Sequence, residues 1–148
     1  MLSSNLGYPR IGPNRELKWI LESYWRKKIN QETLFKEISN IKKNNWIKQK
    51  NAGLNIIPSN DFSLYDHVLD LCLTTNAIPE RFKKLKKNNP LDLYFAMARG
   101  FQNGKLDIKA MEMTKWFDTN YHYIVPEFKS NQKFNLYFSK IIDEFLEA

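Results

Sequence analysis

The sequence predicts an α/β fold, either a small open α/β domain or an incomplete barrel, and three observations carry that reading. Apolar stripes at helical spacing alternate with short extended runs closed by Pro or Gly, the pattern of β/α units around a parallel sheet. The chain has 148 residues, 43% of them hydrophobic and 14% aromatic, which suffices for the core of one domain. A complete eight-unit barrel takes roughly 250 residues, so the chain is too short to close one. Residues 1–148 contain no internal repeat, low-complexity tract or linker, and read as a single domain.

Each element follows from its spacing. Leu17, Ile20, Leu21, Tyr24 and Trp25 form one stripe and predict a helix over about residues 14–28, with Asn14 as its N-cap. Leu34, Phe35, Ile38 and Ile41 begin a second stripe that fades toward Trp46 and stops at Gly53, a residue suited to the left-handed position after a helix. Leu54 to Pro58 reads as a short buried strand, with Ser59, Asn60 and Asp61 as its exit loop. Tyr65, Val68, Leu69, Cys72 and Leu73 predict a third helix, broken by Pro79.

A basic connector runs through Lys83, Lys84, Lys86, Lys87, Asn88 and Asn89, and Pro90 then opens a helix that ends at Gly100. Met113 to Phe117 and Tyr121 to Val125 are expected to be extended. Phe138, Ile141, Ile142, Phe145 and Leu146 make a last helical stripe.

The net charge of +7 suits an anionic ligand, a nucleic acid or a membrane surface. Cys72 is the only cysteine, which rules out an internal disulfide and points to a reduced, cytoplasmic setting. No stretch has the length of a spanning segment, about 18 apolar residues, and the first residues lack the plan of a secretory leader, so no membrane role is expected. The two histidines and one cysteine offer no zinc or haem spacing. Asp61, Asp66 and His67 could form an acid/base group, but His67 sits among helical core positions and reads as structural.

Two constellations carry binding chemistry. In Gly7 to Lys18, a Gly/Pro-rich turn leads into a helix start whose unpaired N–H groups favour an anion, and Arg15 and Lys18 add two cations on one face. In Glu112 to Tyr123, aromatic and polar residues crowd around Lys115, which lies in an expected strand and could meet a carboxylate at a strand end. Solvated first-turn charges, and a Lys115 that simply faces solvent, are the competing structural readings.

The strings Leu6-Gly7-Tyr8-Pro9-Arg10-Ile11-Gly12, Arg15-Glu16-Leu17-Lys18 and Glu22-Ser23-Tyr24-Trp25 resemble the opening of the cobalamin-independent methionine synthase family. Gln49 to Gly53, Ile57 to Phe62, Tyr65 to Val68, Ala98 to Gly100 and, most specifically, Glu112 to Phe128 extend the resemblance over nearly the whole chain. The resemblance implies a partial (β/α)8 TIM-type barrel, roughly the first half of the family's amino-terminal barrel, with the catalytic carboxy-terminal barrel absent.

It further implies part of an enzyme that moves a methyl group from 5-methyltetrahydropteroyltri-glutamate to homocysteine, forming methionine without cobalamin. Arg15, Glu16, Leu17, Lys18 and Lys115 would contact the glutamate tail of the folate. The family's zinc ion, which holds homocysteine as a thiolate, has its ligands outside this sequence. The chain is therefore expected to be inactive alone, to leave apolar faces and a sheet edge uncovered, and to need a separate chain for the remaining barrel and catalytic domain if it works as a split enzyme. Two alternatives remain: a non-catalytic folate-binding or degenerate fragment, and a basic nucleic-acid-binding protein suggested by Lys83 to Lys87.

Overall fold

The computed structural model describes residues 1–87 and 89–148; of the expected basic connector, Asn88 lies outside the described residues. The chain divides into two compact units, residues 1–64 with 143–148, and residues 65–142. Among the described residues helices and short strands are mixed and no barrel closes.

In the first unit, α1 (Glu16–Trp25) packs on α2 (Gln31–Asn51), and Leu17, Leu21, Leu34 and Ile38 are buried. α1 stops because Lys27 turns to φ 57°. Its N–H donates to the Tyr24 carbonyl at 2.8 Å and that of Lys28 to Ser23 at 2.9 Å, the paired bonds of a Schellman end. α2 starts under Asn30, whose side chain accepts from the Thr33 N–H at 2.9 Å, and ends before Gly53 as expected. Its apolar stripe fades because Lys42, Asn45 and Gln49 continue the buried face.

The expected strand Leu54 to Pro58 reduces to a single parallel bridge between Ser4 and Ile56, where the Ser3 carbonyl accepts from Asn55 and Ile56 at 3.1 and 3.0 Å. Parallel strands gain stability when flanked and covered on both faces, whereas Ile56 is 54% exposed.

The second unit contains α3 (His67–Thr74), a 3₁₀ helix (Glu80–Leu85) and α4 (Pro90–Arg99), with Pro90 at the first helical position as predicted. Every α4 residue from Leu93 to Ala98 is buried, so this helix is the centre of the unit's core, together with Leu69, Leu73 and Phe82. His67 is a correction: its side chain is half exposed on the first turn of α3 and not in the core.

The strands form two separate antiparallel hairpins, not the expected parallel sheet. β1 (Phe101–Asn103) pairs with β2 (Leu106–Ile108), and β3 (Met113–Lys115) pairs with β4 (His122–Ile124), setting Met113 opposite Ile124 and Lys115 opposite His122. A crossover between parallel strands takes about a dozen residues or more, and neither connection is that long. Gly104, the first of the two loop residues Gly104 and Lys105, is the short-hairpin signal that would have identified the first one.

α5 (Lys140–Glu147) begins in the second unit, and its residues from Asp143 on belong to the first. The helical period is as expected but the buried face is reversed. Ile141, Ile142, Phe145 and Leu146 are 45–74% exposed, while Glu144 is buried at 8%.

Candidate anion-binding site

The loop before α1 is fixed at two points within its own unit. The Tyr8 N–H donates to Asp61 Oδ2 at 2.8 Å, and Arg10 Nη1 donates to the Ser63 carbonyl at 2.7 Å. Asn14 does not cap the helix as expected. Arg15 takes the N-cap position in the left-handed region, at φ 62°, with no side-chain cap. Asn14 instead donates its N–H and its side-chain amide to the two Glu16 oxygens, at 3.0 and 3.3 Å.

The Glu16 carboxyl is held below its ordinary range, chiefly by its own backbone N–H and also by Asn14, against some desolvation. Only glycine leaves it room, because a Cβ at Gly12 would lie 2.0 Å from Glu16 Oε2. The start of α1 thus already carries an internal carboxylate, and the Leu17 N–H is taken by the Ile11 carbonyl at 3.1 Å. What remains for an external anion is the pair of side-chain cations.

Those cations flank one ring. Lys18 Nζ lies 4.8 Å and Arg15 Cζ 5.9 Å from the centroid of Trp19, which is 52% exposed. Attraction to the indole face favours side-chain positions near the ring without neutralising the charges. Lys18 also stands 3.7 Å from Glu22, a solvent-screened pair of little strength. Leu17 is fully buried and anchors the turn. Arg15, Glu16, Leu17 and Lys18 are therefore together at the start of α1, Arg15 as an exposed cation, Lys18 as a half-buried one, Glu16 as a self-satisfied acid and Leu17 as core. Trp19 escaped the sequence reading, although its position next to Lys18 and four residues after Arg15 was a usable signal.

Lys115 belongs to the second unit, at the end of β3 in a run, residues 112–120, that is exposed throughout. Its ammonium has no hydrogen-bond or ion-pair partner among the described residues. Trp116 and Phe117 are exposed and not core, with Phe117 in the left-handed region at φ 50°. The hairpin closes through the Trp116 N–H to the Tyr121 carbonyl at 2.8 Å and Thr119 Oγ1 to the Trp116 carbonyl at 2.6 Å.

Below this hairpin lies Asp66, only 1% exposed, which caps α3 through the Leu69 N–H at 2.9 Å. It also accepts from the Tyr121 hydroxyl at 2.8 Å and the Ile124 N–H at 3.2 Å. An Asp directly before an apolar periodic run announces the cap, but nothing in the sequence announces its second partner.

The other clusters offer less. In the basic connector Lys83 pairs with Glu80 at 2.8 Å, while Lys86 donates to Asn76 at 2.6 Å and covers the Tyr137 ring at 4.4 Å, so these two lysines are engaged locally. No group of three His, Cys, Asp or Glu among the described residues could hold a metal ion. Cys72 is buried and its thiol is pushed up to about 11, mainly by burial, which makes it a poor metal ligand. The residues present do not fit the zinc ion that the resemblance implies. No helix among the described residues is long and apolar enough to cross a membrane.

Comparison with known proteins places this geometry in context. The family model described as "Cobalamin-independent synthase, N-terminal domain" matches residues 2–148. A 5-methyltetrahydropteroyltriglutamate--homocysteine methyltransferase from Flavobacterium johnsoniae is 60% identical over 149 residues, covering 100% of this chain and 19% of the relative. The proteins of that name from Cytophaga hutchinsonii and Saccharomyces cerevisiae are 57% and 51% identical over 151 and 152 residues, covering 100% and 99% of this chain and 20% of each relative. The chain spans about a fifth of the length of these curated relatives. The match to a domain model over all but its first residue, with identities above half to full-length relatives, means that this chain belongs to the cobalamin-independent methionine synthase family, in the part corresponding to its N-terminal domain.

Proposed function

We propose that this chain is the polyglutamate-binding part of a methyltransferase that carries a methyl group from 5-methyltetrahydropteroyltri-glutamate to homocysteine, giving methionine, and that it is not active alone. The observation that carries the reading is the pair of cations, exposed Arg15 and half-buried Lys18, beside Trp19 at the start of α1. A glutamate tail brings several carboxylates in a row, and each gains a charge-assisted hydrogen bond of about 1.5–3 kcal/mol from an accessible cation. Lys115 supplies a third cation from the exposed end of β3. Glu16, satisfied by Asn14 and its own N–H, shapes the turn, and Leu17 ties it to the core.

In this reading residues 1–148 are roughly the first half of the family's amino-terminal barrel. The parallel bridge between Ser4 and Ile56 supports that assignment as the remnant of a β/α pairing. The remainder of such an enzyme, on the same polypeptide or on a separate chain, would supply the homocysteine pocket and the zinc ligands. The part played by the residues here is to bind and orient the tail, which raises the local concentration of the methyl donor where the transfer occurs. A reduced compartment, the cytoplasm, suits this role and the single buried thiol.

Calorimetric titration of the chain with the triglutamate and monoglutamate forms of 5-methyltetrahydrofolate tests the proposal. Binding that requires the long tail and weakens about tenfold or more in Lys18→Ala and Lys115→Ala is the expected result. Equal binding of both forms, or none by a chain whose fold is verified by circular dichroism, overturns it.

A further inference from the structure

We propose that Asp66 and Tyr121 act as positioning residues that fix the hairpin carrying Lys115, so that its ammonium is presented in one place to a tail carboxylate; this rests on reading Lys115 as a tail contact. Capping α3 requires one carboxylate oxygen and one donor, and the Leu69 N–H at 2.9 Å fulfils that need. Asp66 does more. Oδ2 also takes the Ile124 N–H at 3.2 Å, and Oδ1 takes the hydroxyl of Tyr121 at 2.8 Å. One buried carboxylate thereby grips β4 at one of its residues and again just before it.

The grip is itself backed by α4, since Tyr94 Oη accepts the N–H groups of Tyr65 and Asp66 at 3.0 and 3.2 Å. From β4 the constraint passes to β3 through strand register, with Lys115 opposite His122 and the Trp116 N–H on the Tyr121 carbonyl at 2.8 Å. Residues 112–120 are all exposed, so burial does little to hold β3, and its placement depends on β4. A short exposed hairpin is marginally stable unless something packs or ties it. A cation on such a hairpin binds a carboxylate more weakly, because the hairpin must be ordered during binding. Tyr121, 41% exposed, reaches from the surface to a carboxylate that is nearly inaccessible, and so couples the exposed tip to the core.

The experiment measures triglutamate and monoglutamate affinities for the full chain and for Tyr121→Phe, Asp66→Asn, Lys115→Ala and the Tyr121→Phe/Lys115→Ala double variant. Backbone amide exchange is followed on the same samples. Tyr121→Phe is expected to weaken triglutamate binding about fivefold while leaving the monoglutamate within about twofold, and to add nothing once Lys115 is gone. Exchange at the Trp116 amide should quicken while the α4 amides stay protected. Asp66→Asn, which keeps an acceptor and can donate to the tyrosine oxygen, should lie between wild type and Tyr121→Phe.

If Tyr121→Phe keeps the long-tail advantage that Lys115→Ala loses, the positioning role is overturned and the tail reading stands. Equal losses for both folates, or full additivity with Lys115→Ala, also overturn it, because they mark a general effect on folding. A wild-type chain with no tail preference removes the tail reading and this inference together. Should Asp66→Asn fail to fold, Tyr121→Phe alone decides.

Discussion

The ammonium of Lys42 stands 3.6 Å from Glu144 Oε1, and each of these side chains is only 10% exposed. Lys42 also donates to Glu147, which accepts a further bond from Ser39 Oγ at 2.6 Å. A charge placed this far from water is costly alone and tolerable in company. Lys42→Ala should therefore lower the unfolding free energy by about 3 kcal/mol, since it takes the ammonium away from the buried Glu144 carboxylate. Replacing the pair together, as Lys42→Met with Glu144→Leu, should cost much less. Urea unfolding of both variants checks this, and a double variant as unstable as the single one would contradict it.

Acid should act through Glu80. Lys129 and then Lys83 bond its carboxylate and hold it at about 2, below the ordinary 4.5. A lowered folded value means that the contribution to stability is fully present above about 4.5 and is lost as pH falls toward about 2. An NMR titration of the Glu80 side chain should show a midpoint well below 4.5, moving back toward it in Lys129→Ala and at high salt, because the group is fully exposed. A midpoint near 4.5 in the wild type would contradict the pairing.

Alkali should act through Cys72. Burial, with a smaller push from the Asp66 charge, raises its thiol from 9.0 to about 11. A raised value stabilises the fold below about 9 and is lost as pH climbs from there toward 11. At pH 8 the thiolate fraction of the folded chain is smaller than that of the unfolded chain by about 100-fold, from the two-unit difference. Iodoacetamide labelling should be slower in the folded state by at least that factor, and rapid labelling under native conditions would contradict the burial.

Gly100→Ala should be among the more damaging single-methyl changes. The residue has φ 78°, and a Cβ there would lie 2.9 Å from the Ile108 carbonyl oxygen and 3.3 Å from the Ala110 nitrogen. Both obstacles are backbone, so neither can swing aside. With ψ at 173° the residue is in an extended positive-φ conformation that essentially only glycine adopts, so strain of about 1–3 kcal/mol adds to that clash and thermal unfolding should fall by several degrees.

The helices were legible wherever one strong rule governed them. Pro90 and Gly100 bracketed α4, Gly53 ended α2, and the Leu17 and Leu21 stripe gave α1. What escaped depended on which partner each group finds in the folded chain. The extended segments around Lys115 were foreseen but not their antiparallel pairing, and the Asp66 clamp beneath them joins residues more than fifty positions apart. Asn14 looked like a cap because its type suits one, yet Glu16 engages it and Arg15 takes the position instead. The α5 stripe had the right period for a helix, but period cannot tell inside from outside when Lys42 draws the acidic side inward. The cations of the candidate site were visible in sequence as charge, and the Trp19 ring beside two of them was signalled only by its spacing.

The outward turn of α5 has a consequence for handling. Ile141, Ile142, Phe145 and Leu146 give water a nonpolar strip about two turns long, and the pull between such strips strengthens on warming from the cold. A sample of this chain held near freezing should stay more dispersed than one at room temperature, with light scattering that rises and falls reversibly as it is warmed and cooled, and the charged Ile142→Lys variant should show little of that response.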